Sequence, residues 1–349
     1  MSFKKKFFRN VLIYGSYIFS TQFIIFLTSL VTSRLLLPAD FGLVALITVF
    51  SNFISIFSDS GISYAVIRSG YSFTYYRGLN TISLLLGIIL CIVFSALIYP
   101  IALFYKSTAI ILPGVAIAFL FIARSLNIVP IAIMQKQLKF SASGKPVFIA
   151  TIISACCTVI MALAGLSYWS LIWAQFINSF VTTILVYKKF PGKKLSFYKP
   201  VLIKSYRLTK SLIGNIIGFN TVSYWSKNSD NLIVGKFYGS SDLGIYNRAY
   251  LMLTLPLNLV SGLFSSVLYP SLVRHKNEGG DVETEYYFIL KIIALLTFPV
   301  AIILILFPDL FVKILWGKNW MMVAKLLPYF GLMVMTQTIN STIGSLLIL

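Results

Sequence analysis

Ten stretches of this chain are apolar for long enough to cross a lipid bilayer, and that repetition constrains the fold more than any other feature. They run over residues 11–33, 41–58, 79–104, 109–133, 146–166, 168–187, 211–235, 243–270, 287–312 and 320–347. A hydrocarbon core about 30 Å thick takes about 20 helical residues to span. Backbone in lipid must also satisfy its own hydrogen bonds, which leaves helices and closed barrels. A barrel would show strands of about 10 residues alternating in polarity, and these runs do not alternate. The expected fold class is an all-α integral membrane protein with about ten transmembrane helices. Only 11% of the residues are charged, against about 25% in ordinary soluble domains.

The formal net charge of +20 suggests nucleic acid at first sight, but the placement of the cations argues otherwise. With the N-terminus on the cytoplasmic side, twenty Lys and Arg fall in inner segments, among them Lys4–Lys6, Lys136, Lys188, Lys189, Lys193, Lys194 and Arg274. Only Arg34, Lys106, Lys236, Lys313 and Lys318 fall in outer loops. Cytoplasmic loops carry the excess of Lys and Arg in membrane proteins, so the asymmetry sets the orientation and accounts for most of the charge. Nucleic acid is not an expected partner; the bilayer is. The basic N-terminus resembles the start of a signal peptide, but the apolar run behind it is too long and lacks a small-residue cleavage site, so it is expected to stay as the first span.

The longest polar connection, 188–210, divides the chain into a first lobe of six spans (1–187) and a second of four (211–349). Its basic composition suits either an amphipathic segment on the anionic inner leaflet or a plain positive-inside linker. An internal echo supports the division. Arg34, Asp40, Phe41 and Gly42 at the end of the first span recur as Lys236, Asp242, Leu243 and Gly244 at the end of the seventh, 202 residues later. Parallel repeats of this kind are common in transporters and imply two six-helix halves. The second half would then continue past the apolar ending at Leu349, which makes a truncated chain the expectation and a genuine ten-span protein the alternative.

Charges inside the spans carry the functional signal, because an ionised side chain at mid-bilayer costs about 2.5–3.5 kcal/mol on insertion scales and persists where it faces a bundle interior or a wet cavity. Arg124 lies near the middle of the fourth span, Lys227 and Asp230 near the middle of the seventh, and Arg248 one and a half turns into the eighth. On the seventh span, Asn220, Tyr224, Lys227, Asp230 and Asn231 share one helical face. Arg248 and Lys325 have a competing role as residues that snorkel to the outer interface; Arg124 is too central for that. A site richer in cations than in carboxylates concentrates positive potential and suits an anionic cargo, and Arg and Lys are the phosphate-binding side chains. Asp40 and Asp242 stand where the second and eighth spans begin, and capping of the helix N-terminus is their expected role.

Other chemistries leave no trace. No Gly-rich phosphate loop ending in Gly-Lys-Ser is present, so this chain is not expected to hydrolyse ATP itself. The one histidine, His275, sits in a basic loop, and Cys91, Cys156 and Cys157 lie within spans at no metal or disulfide spacing. No catalytic constellation is visible, and neither an enzyme, a cofactor nor a metal is expected.

The stretch Ser229-Asp230-Asn231-Leu232-Ile233-Val234-Gly235-Lys236, followed by Leu243-Gly244-Ile245-Tyr246-Asn247-Arg248-Ala249-Tyr250 and Leu255-Pro256, resembles the polysaccharide exporters of the multidrug/oligosaccharidyl-lipid/polysaccharide superfamily. Arg34 through Gly42 and Phe57-Ser58-Asp59-Ser60-Gly61 are similar to the branch that includes colanic-acid, teichuronic-acid and O-antigen repeat-unit flippases. The resemblance implies two six-helix lobes around a central cavity, in the bacterial cytoplasmic membrane, and translocation of an undecaprenyl-pyrophosphate-linked oligosaccharide. It makes Arg124, Lys227, Arg248, Asn220, Tyr224 and Asn231 the expected cavity residues. Asp230 or Asp59 becomes the expected coupling carboxylate for a proton or sodium ion, and a polysaccharide polymerase and a chain-length regulator become expected partners. Two rivals stay open: a cation-coupled multidrug exporter of the same superfamily, whose mark would be an acidic cavity, and a non-transporting membrane protein of polysaccharide assembly.

Overall fold

The computed structural model describes residues 3–59, 61–68, 73–190, 197, 199–263 and 282–346. Parts of the basic connection, at 191–196 and 198, and the 264–281 connection with Arg274 and His275, lie outside the described residues. What is described is helical throughout, and no strand occurs among these residues. The helices are α1 (Phe3–Leu35), α2 (Pro38–Asp59), α3 (Ile62–Arg68), α4 (Phe73–Tyr105), α5 (Ile111–Ala118), α6 (Leu120–Lys136), α7 (Phe140–Leu163) and α8 (Tyr168–Lys189). They are followed by α9 (Lys199–Phe237), α10 (Gly239–Leu263), α11 (Val282–Leu306), α12 (Pro308–Leu315), α13 (Met321–Ala324) and α14 (Leu327–Leu346). Among the described residues seven helical segments are long and apolar enough to cross a membrane, and an eighth is made by two pieces, Lys318–Ala324 and Leu327–Asn340, bent by 53° at the break. The other two expected spans, 211–235 and 243–270, fall on α9 and, as far as residue 263, on α10, which carry Lys227, Asp230 and Arg248.

Local chemistry accounts for the helix ends. α2 opens with Pro38, whose missing N–H costs nothing in a first turn. The Asp40 carboxylate reaches back to accept a hydrogen bond from the Leu37 N–H at 2.9 Å, the return half of a capping box, as the sequence led us to expect. Asp40 also accepts the Ser167 hydroxyl, which ties the α7–α8 turn to the start of α2. At the other end of α2, Gly61 adopts φ 77°, a left-handed conformation that glycine takes without steric cost. Beyond it the Asp59 carboxylate accepts the Ser63 N–H at 2.9 Å and so caps α3.

By contacts the chain forms two compact units, Met1–Ser241 and Asp242–Leu349. In the first, α7 packs between α1 and α8, α6 packs against α4 and α8, and α9 lies along α2 and α4. Gly42 meets Ser240 in the first turn of α10: a Cβ there would overlap the Ser240 carbonyl, so only glycine fits without a backbone shift. One core cluster joins α3, α4, α6 and α8 through Val66, Leu79, Val129, Ile133, Val186 and Phe190. In the second unit α11 packs along α14, with Thr297 and Thr338 buried against each other at 3.4 Å.

Candidate functional site

Arg124 stands on α6, half-buried, on the wall of a cavity of about 520 Å³. The cavity is formed by α1, α6, α7 and α8, with Phe41 of α2 at its edge. Helical periodicity explains the polar part of its lining, which shares the wall with Ile25, Ile131, Val147 and Leu171. Gln175, Asn178, Ser179 and Thr182 of α8 line it at spacings of three and four, as do Thr151, Ser154 and Thr158 of α7 and Thr28, Ser29 and Thr32 of α1. Four helices thus turn amide and hydroxyl groups toward one volume. Among its described lining residues Arg124 is the sole cation, and none is a carboxylate.

The guanidinium donates one hydrogen bond, from Nη2 to the Gln175 side-chain oxygen at 3.2 Å. Asn127, one turn along α6, donates to the Ala123 carbonyl at 3.1 Å and to the Thr183 hydroxyl at 2.9 Å. The Asn178 amide donates to the Thr151 hydroxyl at 3.2 Å. The Asn127 side-chain oxygen and the Thr182 hydroxyl are buried with no hydrogen-bond partner among the described residues. Unpaired buried polar atoms cost about 1–3 kcal/mol each.

The other expected site residues take different places. Lys227 and Asn220 are exposed on α9 and do not line this cavity. Tyr224 is half-buried in an aromatic cluster: its ring lies 5.8 Å from Phe53 and 5.6 Å from Trp225, and its hydroxyl donates to the Val49 carbonyl. Asp230 is half-buried and accepts the Asn231 N–H at 2.8 Å. Asn231 is 5% exposed, and its side-chain oxygen lacks a partner among the described residues. Arg248 belongs to the second unit, where it is buried with its guanidinium carbon 5.3 Å from the Trp320 ring centroid.

The repeated turn residues are structural where their contacts are visible. Lys236 donates to the Phe104 carbonyl at the end of α4 and lies 4.4 Å from the Phe104 ring centroid, a cation held at a helix C-terminus. Arg34 and Asp242 are exposed, and Gly244 is buried in α10. Sequence reading missed Lys136, whose ammonium donates to the Val66 carbonyl and the Tyr76 hydroxyl, both at 2.9 Å, and so holds α3 on α6. It also missed the α7 and α8 stripes, whose signal was the three- and four-residue spacing of Ser, Thr, Asn and Gln.

A bundle of membrane-crossing helices, with a cavity inside one unit that carries one cation among its described lining, defines a multi-pass membrane protein. The fold agrees: 92% of this chain superposes on 82% of an inward-facing multidrug resistance MATE family transporter of the MOP superfamily, with a TM-score of 0.58 at 15% identity. Residues 31–325 match the model of the polysaccharide biosynthesis protein family, and the chain belongs to that family. It is 24% identical over 328 residues to the lipopolysaccharide biosynthesis protein WzxC of Escherichia coli K12, covering 91% of this chain and 64% of that protein. To the teichuronic acid biosynthesis protein TuaB of Bacillus subtilis it is 22% identical over 317 residues, covering 85% of this chain and 61% of the other. The chain therefore spans just under two thirds of the length of these relatives. The family is the one the sequence resemblance indicated.

Proposed function

We propose that this chain translocates an undecaprenyl-pyrophosphate-linked oligosaccharide across the bacterial cytoplasmic membrane, by ion-coupled alternating access, during surface polysaccharide assembly. The observation that carries the reading is Arg124: a half-buried guanidinium on the wall of a 520 Å³ cavity whose described lining has no carboxylate. Such a cavity attracts anions and repels cations, which disfavours the rival reading of a multidrug-type exporter of cations. The amides and hydroxyls of α7 and α8 suit sugar hydroxyls, and the lipid tail stays in the bilayer while the head group crosses. Lys227, exposed on α9, serves the pyrophosphate in this reading. Coupling falls to Asp230, because Asp59 is engaged as the cap of α3. The N-terminus faces the cytoplasm, in keeping with the Lys and Arg asymmetry.

Complementation tests it. In cells that lack their own repeat-unit flippase, the full-length protein is expected to restore surface glycan. Arg124→Ala is expected to abolish export at unchanged membrane abundance, whereas Lys313→Ala, exposed on α12, keeps it. Wild-type export by Arg124→Ala would sink the cationic-cavity mechanism. Normal abundance of the unaltered chain with no glycan at the surface would favour the non-transporting alternative.

A further inference from the structure

We infer that the end of the first unit formed by α3, the α6–α7 turn and the last turn of α8 holds the headgroup of an anionic phospholipid, with Lys139, Lys188 and Lys189 on its phosphate and Leu138, Tyr64 and Ile67 at the top of its acyl chains. The inference goes beyond transport and rests on the reading above only in naming this end the cytoplasmic one.

Packing brings these residues to one end. Val66 of α3, Tyr75 and Tyr76 of α4, Met134 of α6 and Phe190 just past α8 share one buried cluster, and Lys136 bonds across from α6 to α3. α7 runs back along α8, so the start of α7, with Lys145, lies beside the end of α8. Lys139, Lys145, Lys188 and Lys189 are all exposed. Among the described residues of this unit, the carboxylate at this end is that of Asp59, engaged as the cap of α3. The anionic inner leaflet attracts such a cluster of lysines. The positive-inside rule accounts for lysines on this side; it does not account for the apolar side chains set among them.

The end of α6 is the second argument. The Leu138 N–H donates to the Gln135 carbonyl and the Lys139 N–H to the Met134 carbonyl, both at 2.9 Å, and Leu138 takes φ 55°. Helices commonly end this way with glycine in the left-handed position, because a side chain there meets steric resistance that glycine escapes. Here a leucine stands in that position with its side chain 38% exposed. Water offers nothing to offset the strain, whereas acyl chains offer burial of the apolar side chain. α3 repeats the arrangement. Its Ile62, Ala65 and Val66 are buried, while Tyr64 and Ile67 are 62% and 46% exposed, and tyrosine is enriched at headgroup level. A phospholipid sets a negative phosphate directly on acyl chains and so engages both kinds of side chain. A free phosphate would leave the apolar ones in water.

The test is native mass spectrometry of the purified full chain titrated with phosphatidylglycerol or phosphatidylcholine, read as the dissociation constant of the first bound lipid. Wild type is expected to bind phosphatidylglycerol at least about fivefold more tightly, the effect of one lysine near an anionic headgroup. The triple variant Lys139→Gln, Lys188→Gln, Lys189→Gln is expected to bring the two lipids level. Lys313→Gln with Lys318→Gln, both exposed in the second unit, is expected to keep the preference. Equal affinities for the two lipids in wild type would overturn the inference without reliance on any variant folding. So would release of phosphatidylglycerol by inorganic phosphate at equal ionic strength, which marks a free-anion site. A preference that survives the triple variant, or is lost in the Lys313 and Lys318 variant, would overturn it as well. The two readings fail separately: a lipid preference in a chain that exports nothing keeps this surface and removes the transport, and export without the preference does the reverse.

Discussion

Single residues show how much chemistry a polar group in a membrane helix needs before its role is plain. Asp40 was legible from sequence because a carboxylate two residues after a proline, at the start of an apolar run, has one obvious partner, the orphan N–H groups of the helix start, and it does bond the Leu37 N–H. Asp40→Ala is expected to lower the stability of the purified protein by about 0.5–2 kcal/mol, read as a fall in melting temperature. Lys136 was not legible, because one lysine among many inner cations carries no sign that it will find the Val66 carbonyl and the Tyr76 hydroxyl. Lys136→Met keeps the aliphatic length and removes both bonds. The expected cost is about 1.5–3 kcal/mol, whereas the same change at Lys139, exposed just beyond the end of α6, should lie within about 0.5 kcal/mol of wild type. Equal melting temperatures for the two variants would show that the α3 contact contributes nothing.

Elements were easier to read than their faces. Long apolar runs and short polar turns place helices well, and the spans of the first six expected crossings coincide with helices of the structure. Which side of a helix meets a neighbour is a tertiary fact. On α9 the polar face invited a lining role, yet Tyr224 and Trp225 pack on Phe50 and Phe53 of α2, and Lys227 and Asn220 are exposed. On α7 and α8 the reverse holds. Serine and threonine in membrane helices commonly bond back to the preceding turn, as Thr151 does to the Val147 carbonyl at 2.9 Å and Thr158 to the Ser154 carbonyl at 2.6 Å. A polar stripe therefore reads as self-satisfied until the third and fourth helices enclose it. Tyr224→Phe keeps the aromatic packing and removes one hydrogen bond to the Val49 carbonyl. It is expected to cost about 0.5–1.5 kcal/mol and to leave export intact; loss of export at normal abundance would return Tyr224 to the cargo path. Close approach sets a harder limit at Gly42, where a methyl group overlaps backbone and not a movable side chain. Gly42→Ala is expected to lower the melting temperature by the equivalent of about 1–3 kcal/mol.

For the whole molecule, charge asymmetry and internal repetition speak to topology and ancestry, and the cavity speaks to function. The orientation is checked by reporter fusions: a fusion after Lys194 should report the cytoplasm and one after Asp242 the outer side, and the opposite pattern would end the topological argument. Arg124, visible in the sequence as a cation too central to snorkel, is where the two lines of reasoning converge, on the wall of a cavity with no carboxylate among its described lining. The most direct measurement is translocation itself. The purified chain is placed in proteoliposomes with a fluorescent lipid-linked oligosaccharide, and the fraction moved between leaflets is read with wild type and Arg124→Gln side by side. The account predicts movement by wild type and a loss of at least about tenfold in Arg124→Gln, with both proteins equally folded. Equal rates for the two would contradict it.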